Sequence, residues 1–323
     1  MTTAQVARSE GLHQFGNVRT DYFMTNAGAP LSGTTAGTFR DFAQPGAHLY
    51  DTTNDVEYVN RGTKASPYWQ PTSYEQNGIR CVHTDFRDVG DVAAVAGTDA
   101  EVILESGVRV FGQGADTDDS GLTVAAVAEI GNVATILTTN ETAHVIALSM
   151  GDTTPIFQPD TNGPHMIEVE FSNVSAITAR AVFCGFLGAV ADALDPAVTG
   201  SGTTLTLVQD DLAGMFMDSG LTDADGIFLP HNKSNAAATI ATTATGVDIS
   251  QTMPAAATYT KWAVQISAAG VMTAFIDYVE VGTIAAALDA DEEIMPVFYL
   301  ESNGAAIKQA TVKQIAMWSA IRS

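Results

Sequence analysis

The feature that most constrains this chain is its succession of short Val-, Thr- and Ala-rich runs, which clusters of Gly, Asn, Asp and Pro separate about every ten residues. Apolar residues do not recur at i, i+3 and i+4 over any long window, so signals for amphipathic helices are nearly absent. In the run Met166–Phe171, Ile167, Val169 and Phe171 share one face of a strand, whereas Glu168 and Glu170 share the opposite face. The pattern predicts an all-β sandwich in which each sheet has one buried face and one solvent-exposed face. Glu168 and Glu170 are predicted to lie on an exposed face.

Size and charge exclude several classes of protein. The 323 residues leave room for one large domain or two smaller ones, and a hydrophobic fraction of 46% excludes wholesale disorder. The 37 acidic residues outnumber the 14 basic ones, which gives a net charge of -23. A surface this acidic repels nucleic-acid phosphates and anionic lipid headgroups, so we predict no nucleic-acid partner and no membrane partner. The first residues lack the apolar core of a secretory signal, so we expect synthesis in a cytoplasm with Cys81 and Cys184 reduced.

The N-terminal 75 residues differ from the rest of the chain in net charge and in the regularity of their strand pattern. Residues 1–75 carry a net charge of -2, and residues 76–323 carry -21. Gly and Pro interrupt the first segment, yet it is rich in aromatic residues, which disordered segments lack. Its clearest element is a predicted hairpin, in which His48–Tyr50 and Val56–Val59 flank a turn at Asp51–Asp55. We predict an extended N-terminal arm over residues 1–75, ordered by contact, and an independently folding sandwich over residues 76–323; a floppy terminus is the alternative.

The hairpin carries a resemblance. The segment Gly46–Trp69, GAHLYDTTNDVEYVNRGTKASPYW, resembles a small β-hairpin module that is common in virion proteins of tailed bacteriophages. Later runs are similar to strands of the concanavalin-like jelly roll in capsid-decoration proteins of these phages, namely Pro164–Phe171, Cys184–Gly188, Ala213–Asp218, Thr258–Ile266 and Met272–Val279. The resemblance covers about residues 45–70 and 95–323, and it implies an arm with a β-hairpin followed by a lectin-like jelly-roll β-sandwich.

This resemblance implies a capsid-decoration, or cement, protein that binds the outer surface of the major capsid protein shell and stabilises it. Such proteins are usually symmetric oligomers, so the resemblance implies a homotrimer on the exterior of the virion. Aromatic side chains of the arm would supply apolar anchors, and its arginines would pair with acidic groups on the shell. The candidate capsid-binding residues are Phe15, Arg19, Tyr22, Phe23, Phe39, Arg40, Phe42, Arg61 and Trp69.

The alternative is a carbohydrate-binding tail-fibre or receptor-binding protein on the same sandwich, with glycans as partners. Glycan sites usually display exposed Trp or Tyr side chains. Trp262 and Trp318 fall within strand patterns and are predicted to be buried, whereas Trp69 in the arm is expected to be exposed. This distribution favours decoration over glycan binding.

Catalytic motifs are missing from the sequence. Glucanases on this architecture place carboxylates in a Glu-x-Asp-x-x-Glu arrangement, but Ser172 and Asn173 follow the Glu168–Glu170 pair here. The six histidines lack zinc-binding spacing, and neither a Gly-x-Ser-x-Gly elbow nor a phosphate-binding loop occurs. We therefore predict a protein that is not an enzyme and that has no cofactor.

One acidic turn is a candidate cation site. Asp116, Asp118 and Asp119 stand in a short turn that ends at Gly121, and hard cations take oxygen ligands from such turns. The bidentate Glu that closes an EF-hand loop is replaced by Val127. A solvated acidic turn without metal is the expectation, and a structural Ca²⁺ ion is the alternative.

Overall fold

The computed structural model describes residues 23–73, 79–86, 101–104, 106–112, 121–127, 131–138, 142–150, 157–173, 178–188, 196–209, 211–233, 237–304 and 306–320. Within these ranges the chain forms β-strands and one helical turn, so the prediction of an all-β protein is confirmed. In the same ranges, no helix has the length and hydrophobicity required to cross a bilayer.

The elements are short and follow one another closely. The first group is β1 (Phe23–Asn26), β2 (His48–Asp51), β3 (Val56–Asn60), β4 (Trp69–Pro71), β5 (Ile79–Thr84), β6 (Glu101–Ile103), β7 (Val108–Gly112), β8 (Gly121–Val127), β9 (Gly131–Leu137) and β10 (His144–Met150). The second group is α1 (Pro159–Asn162), β11 (His165–Asn173), β12 (Arg180–Leu187), β13 (Val198–Ser201), β14 (Thr204–Leu207), β15 (Leu212–Asp218), β16 (Gly226–Phe228) and β17 (His231–Asn232). The third group is β18 (Ala238–Ala241), β19 (Asp248–Thr252), β20 (Thr260–Ile266), β21 (Met272–Ile276), β22 (Val279–Ile284), β23 (Met295–Ser302) and β24 (Gln309–Ala320).

Two large antiparallel sheets form a sandwich. Sheet 1 has the order β22-β21-β20-β11-β24-β9-β8, with β5 also paired to β24. Sheet 2 has the order β19-β16-β15-β12-β23-β10-β7-β6, with β17 paired to β15. The chain crosses repeatedly between them, because β10, β11 and β12 lie in sheets 2, 1 and 2, and β22, β23 and β24 lie in sheets 1, 2 and 1. This alternation is a jelly-roll arrangement, as predicted.

The main core lies between the two sheets. Phe171 of β11 meets Trp262 of β20 edge-on with ring centroids 5.2 Å apart, and it meets Phe298 of β23 at 5.0 Å. Ile167 and Val169, on the same face of β11, are also fully buried. The predicted inward face of this strand and the predicted burial of Trp262 are therefore confirmed.

Small sheets cover the outer faces of both large sheets. The cap sheet, β1-β2-β3-β4, lies on sheet 1, and the cover sheet, β13-β14-β18, lies on sheet 2. Under the cap sheet, Tyr68 packs with Phe275 and Trp318 in a second apolar cluster. The prediction that Glu168 is in solvent is therefore wrong, because its side chain is 0% exposed, and Glu170, two residues further along β11, is only 19% exposed.

The N-terminal hairpin is confirmed and forms the centre of the cap sheet. Strands β2 and β3 pair antiparallel, and β1 adds to β2 in parallel. The buried Asp51 closes the turn, because its Oδ1 accepts bonds from the backbone N–H groups of Gly28, Thr53 and Asn54. Its Oδ2 accepts a bond of 2.6 Å from the Asn54 side chain. The Asp-Thr-Thr-Asn sequence thus has a structural role, that of an Asx turn that fixes the hairpin.

We expect Asp51→Ala to loosen the cap sheet at a cost of about 2 kcal/mol, since it removes the acceptor of one buried and two part-buried backbone N–H groups. Hydrogen–deuterium exchange should speed up for amides in β2 and β3 and stay unchanged in β11. Thr53→Ala, at an exposed position of the same turn, is the matched control. Unchanged exchange in the Asp51→Ala protein would show that the turn does not depend on this carboxylate.

Candidate functional site

A buried polar cluster joins the cap sheet to sheet 1. Glu168 accepts hydrogen bonds from Tyr68 Oη at 2.6 Å, Lys261 Nζ at 2.7 Å and Gln70 Nε2 at 3.1 Å. Lys261 Nζ also donates to Tyr278 Oη at 2.8 Å. Burial acts to lower the pKa of Lys261, but the Glu168 carboxylate and the hydrogen bonds outweigh it, so the pKa is raised and the ammonium stays charged. The cluster fixes where the cap sheet sits, because Tyr68 and Gln70 belong to the cap.

The segment Thr38–Gln44, which we call the docking turn, is held in place by hydrogen bonds from the cap sheet. Trp69 Nε1 donates to the Thr38 carbonyl at 3.0 Å, and Asn60 Nδ2 donates to the carbonyls of Ala43 and Gln44 at 3.0 and 3.2 Å. These bonds hold a backbone with positive φ at Phe39 (57°) and Asp41 (62°), which aspartate tolerates but a bulky residue such as Phe39 rarely adopts. Strain of this kind persists only where the surroundings impose it, and it concentrates at functional surfaces.

Aromatic and basic side chains share the outer surface of this turn. The rings of Phe39 and Phe42 lie 6.5 Å apart, and Phe42 is 37% exposed. Arg40 is exposed between them and contacts Asp41 at 3.3 Å. The neighbouring loop adds exposed basic side chains, Arg61 and Lys64, and it lies against the turn through a 2.8 Å bond from Asp41 N to the Lys64 carbonyl.

A small open cavity, which we call the ledge pocket, lies on the outer face of sheet 1. Its volume is about 150 Å³, and its walls are Glu170, Tyr259, Thr260, Lys261, Asp277 and Tyr278. Lys313 Nζ pairs with Glu170 Oε1 at 2.6 Å and lies 5.9 Å from the centre of the Tyr259 ring. Asp277 Oδ1 accepts a bond of 2.8 Å from the backbone N–H of Lys261. Burial raises the pKa of Tyr259, and the Glu170 charge adds to this rise.

The wall formed by Asp277 and Tyr278 is a tight turn between β21 and β22. Both residues have positive φ, 48° and 69°, although neither is glycine. The Tyr278 ring packs edge-on against Tyr68 of the cap, with centroids 5.0 Å apart, while its hydroxyl is bonded to Lys261. The ring is therefore fixed by contacts on two sides.

The outer face of sheet 2 is closed by the cover sheet. Leu205 and Leu207 of β14 pack into one buried cluster with Phe183, Phe216 and Tyr299 of sheet 2. The Phe183 and Tyr299 rings stack with centroids 5.1 Å apart. Apolar side chains from both sheets therefore fill most of the space between the cover sheet and sheet 2.

Two carboxyl groups are buried at the end of this covered face. Asp218 accepts bonds from the backbone N–H groups of Gly200 and Gly220, both at 2.7 Å, and from Asn303 Nδ2 at 2.6 Å. Burial raises the pKa of Asp218, although these donors oppose the rise. Burial, helped by the negative charge of Asp218, raises the pKa of Glu301 to about 9. Glu301 is therefore neutral at pH 7.

The structure brings together part of the candidate capsid-binding set. Phe39, Arg40 and Phe42 lie in the docking turn, and Arg61 lies on the loop beside it. Phe15, Arg19 and Tyr22 fall outside the described residues, as does the side chain of Phe23.

The expectation that Trp69 is exposed is wrong. Its side chain is 2% exposed, because the indole supports the docking turn and packs beneath the cap sheet. Trp318 is buried, as predicted, at 6% exposure. Neither ring is therefore available on the surface for stacking against a sugar.

The acidic turn proposed as a cation site, with Asp116, Asp118 and Asp119, lies outside the described residues. Across the ranges that are described, no three His, Cys, Asp or Glu side chains gather in a way that could hold a metal ion.

Glu168 and Glu170 are each paired with a lysine, and Glu168 is buried beneath the cap sheet. This arrangement differs from a glycosidase pair, in which both carboxyl groups must reach the substrate.

Sequence comparison gives no assignment, since no family model and no curated protein matches the chain. Several solved structures align with a large part of this chain. A protein of unknown function from Shewanella oneidensis MR-1 is 12% identical with a TM-score of 0.48, over 76% of this chain and 89% of that one. Peanut lectin is 10% identical with a TM-score of 0.42, over 75% and 97%. A carbohydrate esterase from the Shiga toxin-encoding bacteriophage phi24B is 14% identical with a TM-score of 0.38, over 67% and 91%. At this level of likeness, no ligand or activity is transferred to this chain.

Proposed function

We propose that this chain is a binding protein of a virion surface that attaches to the outside of a capsid through the docking turn. The observation that carries the proposal is a strained turn, held by Trp69 and Asn60, that exposes Arg40 and Phe42, while the Phe39 ring packs partly against the apolar cluster under the cap sheet. A preformed turn loses little conformational freedom on binding, so its aromatic contacts add directly to affinity. The resemblance of residues 46–69 to phage virion hairpins supports the same assignment.

The distribution of charge supports an orientation for this attachment. Among the described side chains, the basic residues in the exposed class are Arg40, Arg61 and Lys64 on the cap and Lys233 on the sandwich. The sandwich carries most of the net charge of -23. The cap also carries Asp41, Asp51, Asp55 and Glu57, so it is close to neutral, and a partner with acidic groups would repel it far less than the acidic sandwich. The cap would therefore face the shell, and the sandwich would face outward.

We expect Phe42→Ala and Arg61→Glu each to weaken attachment to phage heads assembled without this protein. Truncation of a central interface residue typically costs about 2 kcal/mol, which corresponds to about thirtyfold in affinity. The measurement is co-sedimentation of purified full-length protein with such heads across a concentration series. Lys233→Glu makes the same charge change as Arg61→Glu at a site on the sandwich and should bind like the wild type. Attachment that survives both cap substitutions but is lost in Lys233→Glu would place the docking surface on the sandwich instead.

A further inference from the structure

We propose that the ledge pocket binds one pyranose ring of a glycan. This site is separate from the docking turn, and the proposal goes beyond attachment to a shell. The pocket combines two tyrosine rings with two carboxylates in a volume of about 150 Å³. Drug-sized ligands occupy roughly 300–1,000 Å³, so this opening accommodates a single sugar ring rather than an extended ligand.

The polar atoms of the pocket fit hydroxyl groups. Glu170 uses Oε1 for Lys313, and Asp277 uses Oδ1 for the backbone of Lys261. Among the described residues, the second oxygen of each carboxylate has no protein donor, so both are open to accept hydrogen bonds from a sugar. The Tyr259 ring supplies the flat apolar surface on which the C–H face of a pyranose would rest, since Lys261 Nζ already lies over the Tyr278 ring, 4.7 Å from its centre.

The balance of charge favours a neutral ligand over a metal ion. Lys313 neutralises Glu170, and Lys261 neutralises Glu168 directly behind the pocket wall. Asp277 alone among the wall carboxylates lacks a lysine partner at salt-bridge distance. A cation would find one uncompensated carboxylate, whereas hard cations require 6–8 oxygen ligands.

One wall of the pocket, Tyr278, is also fixed before any ligand binds. Tyr278 is held in a positive-φ turn, with Tyr68 against its ring and Lys261 on its hydroxyl. A bulky residue in this conformation is uncommon and marks a position where the surrounding structure imposes the geometry. Because the wall is already ordered, binding does not require the loss of side-chain freedom that weakens flexible sites.

The test is saturation-transfer difference NMR of the full-length protein with the methyl glycosides of glucose, galactose, mannose and N-acetylglucosamine. At least one glycoside should receive saturation from the wild-type protein. Tyr259→Ala should weaken that binding by about tenfold or more, because it removes one stacking wall. Tyr259→Phe keeps the ring and should retain binding. Tyr50→Ala, which removes a half-buried ring on the cap sheet, is the matched control and should bind like the wild type.

The proposal is overturned if none of the four glycosides receives saturation, or if Tyr259→Ala binds as tightly as the wild type. Thermal unfolding of each variant separates a loss of the pocket from a loss of the fold. Attachment to heads should be unaffected by Tyr259→Ala, and glycoside binding should be unaffected by Phe42→Ala. Failure of the two proposals can thus be told apart.

Discussion

Lys261→Met should destabilise the protein by about 3–5 kcal/mol, because it leaves Glu168 as an uncompensated charge beneath the cap sheet. Both members of the pair are buried, with side-chain exposures of 7% and 0%. The whole stability of a domain is typically 5–15 kcal/mol, so this loss is large. Urea unfolding at pH 7 measures it. Hydrogen exchange in β3 and β4 then shows whether the cap sheet opens before the sandwich unfolds.

A set of variants separates the pair from the packing around it. Glu168→Met combined with Lys261→Met removes both charges, but it leaves the buried Tyr68 hydroxyl without its acceptor. Adding Tyr68→Phe removes that hydroxyl as well. Replacement of a buried ion pair by apolar groups of similar volume is often neutral or stabilising, so the triple variant should recover most of the loss.

The matched control for Lys261→Met is Lys313→Met. Lys313 also pairs with a glutamate of β11, but its side chain is 32% exposed, so its removal should cost less than about 1 kcal/mol. Equal effects of the two substitutions would mean that burial beneath the cap sheet adds nothing to the pair. In that case the cluster would not determine where the cap sits.

The strands of the sandwich could be predicted from sequence because period-two alternation reports directly which side chains share a face. Ile167, Val169 and Phe171 are the clearest example, and they are buried as expected. The same alternation gave the wrong environment for Glu168. A polar residue on the outer face of a strand has the same pattern whether water or another sheet lies over it, and nothing local to β11 reports that residues 23–71 fold onto it.

The residues of the two proposed sites were harder to predict for a related reason. Asn60 and Trp69 fall in the hairpin motif, but their bonds to the docking turn join residues that are 16 to 31 positions apart. In the turn at Asp277 and Tyr278, Asp277 belongs to a residue type that tolerates positive φ, but Tyr278 carries no such signal. The walls of the ledge pocket come from three separate segments, and only the pairing of β11, β20 and β21 brings them together. The available sequence signal for this pocket was a Lys or Tyr near the end of one predicted strand and a Glu in a neighbouring predicted strand.

Glu301 should make the protein lose stability as the pH rises. The residue is 3% exposed, and within the described part of the chain its Oε2 atom has no hydrogen-bond partner. Burial, together with the charge of Asp218, raises its pKa from 4.5 to about 9. In the unfolded chain the carboxyl group ionises near pH 4.5, whereas in the folded protein it keeps its proton until about pH 9. The folded state therefore binds more protons than the unfolded state throughout this window, and its stability falls by up to about 1.4 kcal/mol for each pH unit.

Glu301→Gln removes this ionisation while it keeps the size and polarity of the side chain. The variant and the wild type should have similar free energies of unfolding near pH 4.5, and the variant should be more stable by at least about 2 kcal/mol at pH 8. Urea unfolding at half-unit pH intervals from 4.5 to 9 measures the difference. Glu292→Gln changes an exposed carboxylate and should follow the wild-type curve at every pH. If the curves of Glu301→Gln and the wild type run parallel, Glu301 is ionised in the folded protein. A contact at the buried end of sheet 2 would then have to stabilise the negative charge of Glu301.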